Sequence, residues 1–162
     1  MDNTFGFDKL NLLLERTEML DDELEEVMCY NGEKAINYAR ANGTYTDRTA
    51  NLRNSIGYEV AVNGEVTEES TVLSSSAVSP NGDNIGDSGL IEQNIKEARE
   101  QFGGFDDDKV SLRVIAGMSY GKYVEDRGYD VITGAYHSIV DSTRASIEKA
   151  IQEYKEDIDE VL

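Results

Sequence analysis

A chain of 162 residues has the length of one domain and buries roughly two thirds of its unfolded surface on folding. Its 33 acidic and 15 basic residues leave a net charge of −18. That charge argues against binding free nucleic acid, which depends on Lys and Arg neutralising phosphates, and against anionic membranes for the same reason. A hydrophobic share of 39% beside 30% charged residues calls for much solvated surface or for area buried between copies of the chain.

Cys29 is the only cysteine, so no disulfide forms within the chain. It falls in a helical pattern and reads as a small buried apolar residue ahead of a reactive thiol. Met1-Asp2-Asn3-Thr4-Phe5-Gly6 lacks the basic region and apolar run of a secretion signal. No stretch approaches the ~20 apolar residues of a membrane span. The expectation is a soluble protein made in a cytoplasm.

Asp8 is placed to cap a helix whose apolar positions run from Leu10, Leu13 and Leu14 through Leu20, Leu24, Val27 and Met28 to Ala35, Tyr38 and Ala39. Their spacings of three, four and seven put them on one face. Asp21, Asp22, Glu23, Glu25 and Glu26 mostly cover the other face; Gly32 weakens the helix locally, and Asn42-Gly43 stops it. Tyr45 to Asn54 reads as a loop or short turn. Ile56, Tyr58, Val60 and Val62 then alternate with Gly57, Glu59 and Ala61, which predicts a strand with one buried face.

Asn63-Gly64 signals a tight hairpin, because both central positions of that turn need positive φ. The return strand runs from Glu65 to about Val78, less regular and rich in Thr, Val and Ser. Ser79 to Gly89 holds the only proline with Gly82, Gly86 and Gly89, and reads as an exposed loop. Leu90, Ile91, Ile95, Ala98 and Phe102 space as a short helix closed by Gly103-Gly104. Val110, Leu112, Val114 and Ala116 form a second alternating strand, and from about Ala135 the positions Ile139, Thr143, Ile147, Ala150, Ile151, Tyr154 and Ile158 form a last amphipathic helix. Strands grouped between long helices predict an α+β domain, with an antiparallel sheet packed on one side by the long N-terminal and C-terminal helices.

Gly117-Met118-Ser119-Tyr120-Gly121 matches the Gly-x-Ser-x-Gly turn that exposes a nucleophilic serine, and it follows a strand. The hydrolase arrangement needs an acid and then a histidine downstream on a parallel sheet. His137, the only histidine, follows Ser119 closely with no crossover strand between them, so two glycines framing a tight exit from a strand is the plainer account. His137 alone makes no metal site. Asp83, Asn84 and Asp87, and separately Asp106 to Asp108, lack the alternating ligands and final glutamate of a calcium loop. No phosphate-cradling Gly-rich Lys-Ser/Thr motif occurs. Neither a catalytic set nor a cofactor or metal is expected.

Two segments carry the most specific signal. Thr49-Ala50-Asn51-Leu52-Arg53-Asn54-Ser55-Ile56 is one, and Tyr120-Gly121-Lys122-Tyr123-Val124-Glu125-Asp126-Arg127-Gly128 is the other. With long helices on either side, they resemble the head–tail joining (tail-completion) family of long-tailed bacteriophages. That family has a Thr, a small residue and Leu-Arg-x-Ser-Ile entering a strand, then much later Tyr-x-x-Tyr-Val-Glu with a Gly shortly after. The likeness covers about Asp8 to Tyr154. Ala50 stands where the family often has glycine, and 79–105 reads as an insertion with its own helix. Tyr129-Asp130-Val131-Ile132 lacks the proline-containing continuation common in relatives.

The resemblance implies a single joining domain over 1–162 and a non-enzymatic virion protein of the phage neck. It would form a ring of six or twelve copies between portal and tail proteins, with DNA passing through unbound. Leu52, Arg53, Ser55, Tyr120, Tyr123, Val124, Glu125 and Gly128 become candidates for subunit contact or for shaping the motifs. Leu52 would anchor its loop in the core and Ser55 would cap or close a turn. Arg53 would either fork onto a carboxylate, with Glu125 as partner if the motifs meet near one end of the sheet, or stand alone on the surface. Tyr120, Tyr123 and Val124 suit a subunit edge, while core packing serves Tyr123 and Val124 equally well. Glu65, Glu68 and Glu69 are candidates for an acidic channel lining that lets DNA slide, and Asn63 and Gly64 for a docking loop. A different class is an acidic regulator that mimics DNA and blocks a nucleic-acid-binding protein; its charge would form a regular stripe.

Overall fold

A computed structural model describes residues 4–46, 50–70 and 88–161. In chain order the elements are α1 (Thr4–Asn42), α2 (Asn51–Asn54), β1 (Ile56–Val62), β2 (Glu65–Glu69), α3 (Ser88–Phe102), β3 (Val110–Ala116), α4 (Gly121–Asp126) and α5 (Thr133–Val161). The three strands form one antiparallel sheet in the order β2-β1-β3. The long helices α1 and α5 pack together on one face of it, the α+β arrangement the spacing predicts.

The main core lies between that face and the C-terminal half of α1. Ala35, Ile36 and Ala39 of α1 meet Ile56, Tyr58 and Val60 of β1, and Leu52, Met118, Val131, Ala135 and Ile139 close the cluster. Asn63 and Gly64 both have positive φ, 50° and 85°, as the two-residue hairpin turn requires. Gly43 donates its amide to the Ala39 carbonyl and ends α1 where the Asn-Gly pair predicts.

Four features bear on the sequence reading. First, β1 is buried on both faces, because Glu59 and Ala61 are covered as fully as Tyr58 and Val60. The second cover is α3, which lays Arg99 against Glu59 on the side away from α1 and packs Ile95 on Gly117. Second, β2 is described from Glu65 to Glu69, and the remainder of the strand expected to run to about Val78, with much of the expected loop, falls in residues 71–87, outside those described. Third, a short helix, α4, forms on the Tyr120 segment ahead of α5.

Fourth, the N-terminal half of α1 is not core. At about 1.5 Å per residue α1 is about 58 Å long, far longer than a seven-residue strand of about 23 Å. From Phe7 to Tyr30 no residue is buried, and Phe7, Leu10, Leu12, Leu14 and Met19 are exposed. This half runs antiparallel to the end of α5, held by Arg16 to Asp157 at 2.8 Å and Thr17 to Tyr154 at 3.0 Å. A periodic apolar stripe predicts amphipathicity, but whether the sheet is long enough to cover it is a tertiary matter.

Candidate functional site

The two sequence segments meet at one end of the sheet. The Ser55 hydroxyl donates to the Leu52 carbonyl at 2.8 Å, closing the turn of α2, and accepts the Met118 amide at 3.2 Å. The Gly117 amide donates to the Ser55 carbonyl at 3.0 Å. Leu52 enters the core and packs on Gly121, where an added Cβ would lie 3.2 Å from its Cδ1. Leu52 and Ser55 are thus buried, and they join the first segment to the second from within.

The second segment is built around the start of α5. Gly128 takes φ 84°, donates its amide to the Glu125 carbonyl at 2.9 Å, and is followed by Tyr129 donating to the Val124 carbonyl. This paired closure ends α4 with the left-handed residue that glycine adopts without cost. The reversal returns the chain across Glu125, whose carboxylate accepts the amides of Val131 at 2.9 Å, Ile132 at 3.1 Å and Thr133 at 3.1 Å. Asp130 accepts the Gly134 amide at 2.8 Å. Two acids therefore satisfy the unpaired amides at the α5 N-terminus, where the helix dipole also favours negative charge. Burial pulls the Glu125 pKa upward, but hydrogen bonds from Thr133 and the amides of Ile132 and Val131 outweigh it and hold the group below the usual carboxylate value.

Arg53 and Glu125 are not joined: no ion pair links them among the described contacts. Glu125 is engaged by three backbone amides, and Arg53 donates to the Arg40 carbonyl with its guanidinium over the Tyr45 ring. Arg40 in turn donates to the Ile56 carbonyl at 2.6 Å, and burial lowers its pKa. The convergence of the segments is thus made by hydrogen bonds to backbone and not by an ion pair. Val124 packs against the core, whereas Tyr120 and Tyr123 are exposed, with Arg127 over the Tyr123 ring at 4.3 Å.

The other candidates are placed as follows. Glu65, Glu68 and Glu69 are all exposed, but their strand partners divide them. Glu65 and Glu68 pair with Val62 and Val60 on the α1 face, while Glu69 pairs with Glu59 on the α3 face and binds Arg99 at 3.0 Å. The hairpin turn is held down. Asn63 donates its amide to the Lys109 carbonyl and its side chain to Asp21 at 3.3 Å, and Gly64 lies against Asp107. Ser119 is exposed in the turn before α4, no hydrogen bond joins it to His137, and the His137 ring stands edge-on to Tyr136. Among the described residues no group of His, Cys, Asp and Glu could hold a metal ion, and no helix is long and apolar enough to cross a membrane.

Sequence reasoning missed Glu59, only 3% exposed in the central strand. Its Oε1 lies 2.5 Å from Arg99 Nε and its Oε2 3.5 Å from Arg113 Nη1, although neither Oε2 nor Arg99 Nε finds hydrogen-bond geometry. Arg113 also donates to the Gly103 carbonyl and lies over the Phe105 ring at 3.9 Å. An acid at an outward position of an alternating strand reads as solvated; two arginines from separate elements are what mark it as covered.

Compared with known proteins, no family model, no curated protein and no solved structure matches the chain.

Proposed function

We propose that the chain is a structural virion protein that joins the phage head to the tail, as one ring of six or twelve copies in the neck around the DNA channel. The observation that carries this reading is the convergence of the two segments that resemble the head–tail joining family. They are more than sixty positions apart, yet Leu52 of the first packs on Gly121 of the second, and Ser55 bonds Met118 in the turn that leads into it. Two backbone details agree with the same likeness. Ala50 takes φ 59° where the family often has glycine, and Gly128 takes φ 84° in the place of the family's glycine.

The mechanism is binding and not chemistry. The core and the α5 cap hold a rigid scaffold, while Tyr120, Tyr123, Tyr129 and Tyr136 present large exposed rings with polar tips, the residue type enriched at protein interfaces. Portal, neck and tail proteins are the partners, and the net charge of −18 leaves DNA free to pass without adhering. The test is light scattering of the purified chain over a concentration series, with negative-stain images of the largest species. Rings of six or twelve are the expected result. A species that never exceeds a dimer and competes with DNA for a basic protein would replace this reading with the DNA-mimic one.

A further inference from the structure

The order β2-β1-β3 leaves the sheet two edges, and the chain treats them differently. β2 carries three glutamates in five exposed residues, and its pairing with β1 is broken by a bulge between Val60 and Ala61. Both devices blunt an edge against further strands. β3 has neither. It pairs with β1 in unbroken register from Ile56 opposite Ala116 to Val62 opposite Val110. Its one charge, Arg113, is turned to the α3 face and held by Gly103 and Phe105.

The phase of the ladder fixes which groups are free. The Asn63 amide bonds the Lys109 carbonyl, and the Gly117 amide bonds the Ser55 carbonyl. Antiparallel pairing alternates residue by residue, so odd positions from Lys109 to Gly117 bond to β1. The amides and carbonyls of Val110, Leu112, Val114 and Ala116 therefore point out of the sheet, and no hydrogen bond to a described residue engages them. Beside this edge α5 packs on α1 and leaves a groove of about 830 Å³, lined by Met28, Leu112, Val114, Tyr136, Val140 and Ile147 among others.

We infer that β3 pairs with β3 of a second copy, antiparallel about a two-fold axis, so that two three-stranded sheets become one and the two grooves face each other across the join. The chain is complementary to itself here. Setting Leu112 against Leu112 of the second copy places Val110 opposite Val114 and Ser111 opposite Arg113. A register centred on Arg113 would oppose two guanidiniums and is disfavoured. The patch is about 23 Å long and about 20 Å across. That is roughly 460 Å² per partner in projection, at the low end of specific interfaces and below the ~800 Å² of a standard one. Copies with a charge of −18 repel, yet among the described residues lining the groove only Arg144 and Glu148 are charged. Salt screens the repulsion without weakening an apolar join, so the dimer tightens as salt rises.

The inference stands apart from the neck reading. Its test is sedimentation of the full chain at 0.05 and 0.5 M NaCl, combined with mild oxidation of Leu112→Cys and Ser111→Cys, each in a Cys29→Ala background. The expected result is a dimer whose dissociation constant falls several-fold at the higher salt. Leu112→Cys should cross-link, and Ser111→Cys should not, because two-fold mates at 111 lie beyond disulfide reach. Tyr136→Glu, on an exposed helix position that leaves folding intact, should weaken the dimer at least tenfold. A monomer at every concentration and salt overturns the pairing. So do rings or dimers that Tyr136→Glu leaves unchanged and in which Leu112→Cys fails to cross-link; rings of that kind would uphold the neck reading while removing this one.

Discussion

The ring of Tyr58 lies so close on Gly32 that a Cβ added to the glycine would sit 2.6 Å from the ring's Cδ2. A mid-helix glycine costs about 1 kcal/mol relative to alanine, and here it is what lets α1 descend onto β1. Gly32→Ala should therefore destabilise the fold by about 1–3 kcal/mol by overpacking, reversing the sign expected from helix propensity. Urea unfolding of the variant measures it; a stabilised variant would mean that the ring moves aside freely. Burial, with Glu33 nearby, pushes the Tyr58 hydroxyl up to about 12.

Glu125 should give stability a dependence on acid pH. Its folded pKa is depressed below its ordinary 4.5, so the unfolded chain binds this proton more readily. The contribution is complete above the ordinary value and is lost as pH falls through the lower folded value. Glu125→Gln should cost about 1–3 kcal/mol at pH 7, since three amides lose a charged acceptor, and it should flatten the fall in urea midpoint between pH 6 and pH 3. An unchanged profile in the variant would remove Glu125 as the group responsible.

Ala50 is buried at φ 59°, a conformation costing an L-residue roughly 1–2 kcal/mol. Ala50→Gly should be neutral or stabilising by up to about 1 kcal/mol, because the freedom glycine adds to the unfolded chain offsets part of the gain. Ala50→Val should destabilise by more than about 2 kcal/mol, since a β-branched residue fits this region worst. Thermal unfolding of the pair gives the comparison.

Glu59 tests what fastens α3. Replacing a buried carboxylate that faces two arginines leaves their charge uncompensated, at a cost of about 3–5 kcal/mol for a fully buried pair and less here because both arginines are partly exposed. Glu59→Gln should destabilise by about 2–3 kcal/mol and speed amide exchange in α3 before α1. Equal acceleration in both helices would make the loss global and not a local release of α3.

The sequence determined the long helices, the strands β1 and β3 and the fold class by local physics. Spacings of three and four marked α1 and α5, alternation marked β1 and β3, and Asn63-Gly64 fixed the hairpin because few other pairs accept two positive φ values. It also singled out the two segments that converge. It did not give their contacts: Glu125 was legible as an acid of the second segment and a candidate partner for Arg53, but its engagement by three amides depends on the reversal at Gly128. The fates of Glu59, Gly32 and the first half of α1 were likewise decided only by the tertiary structure. Whether an acid is solvated, a glycine tolerated or an apolar stripe covered depends on which element lies opposite, and residue spacing carries no information about that neighbour.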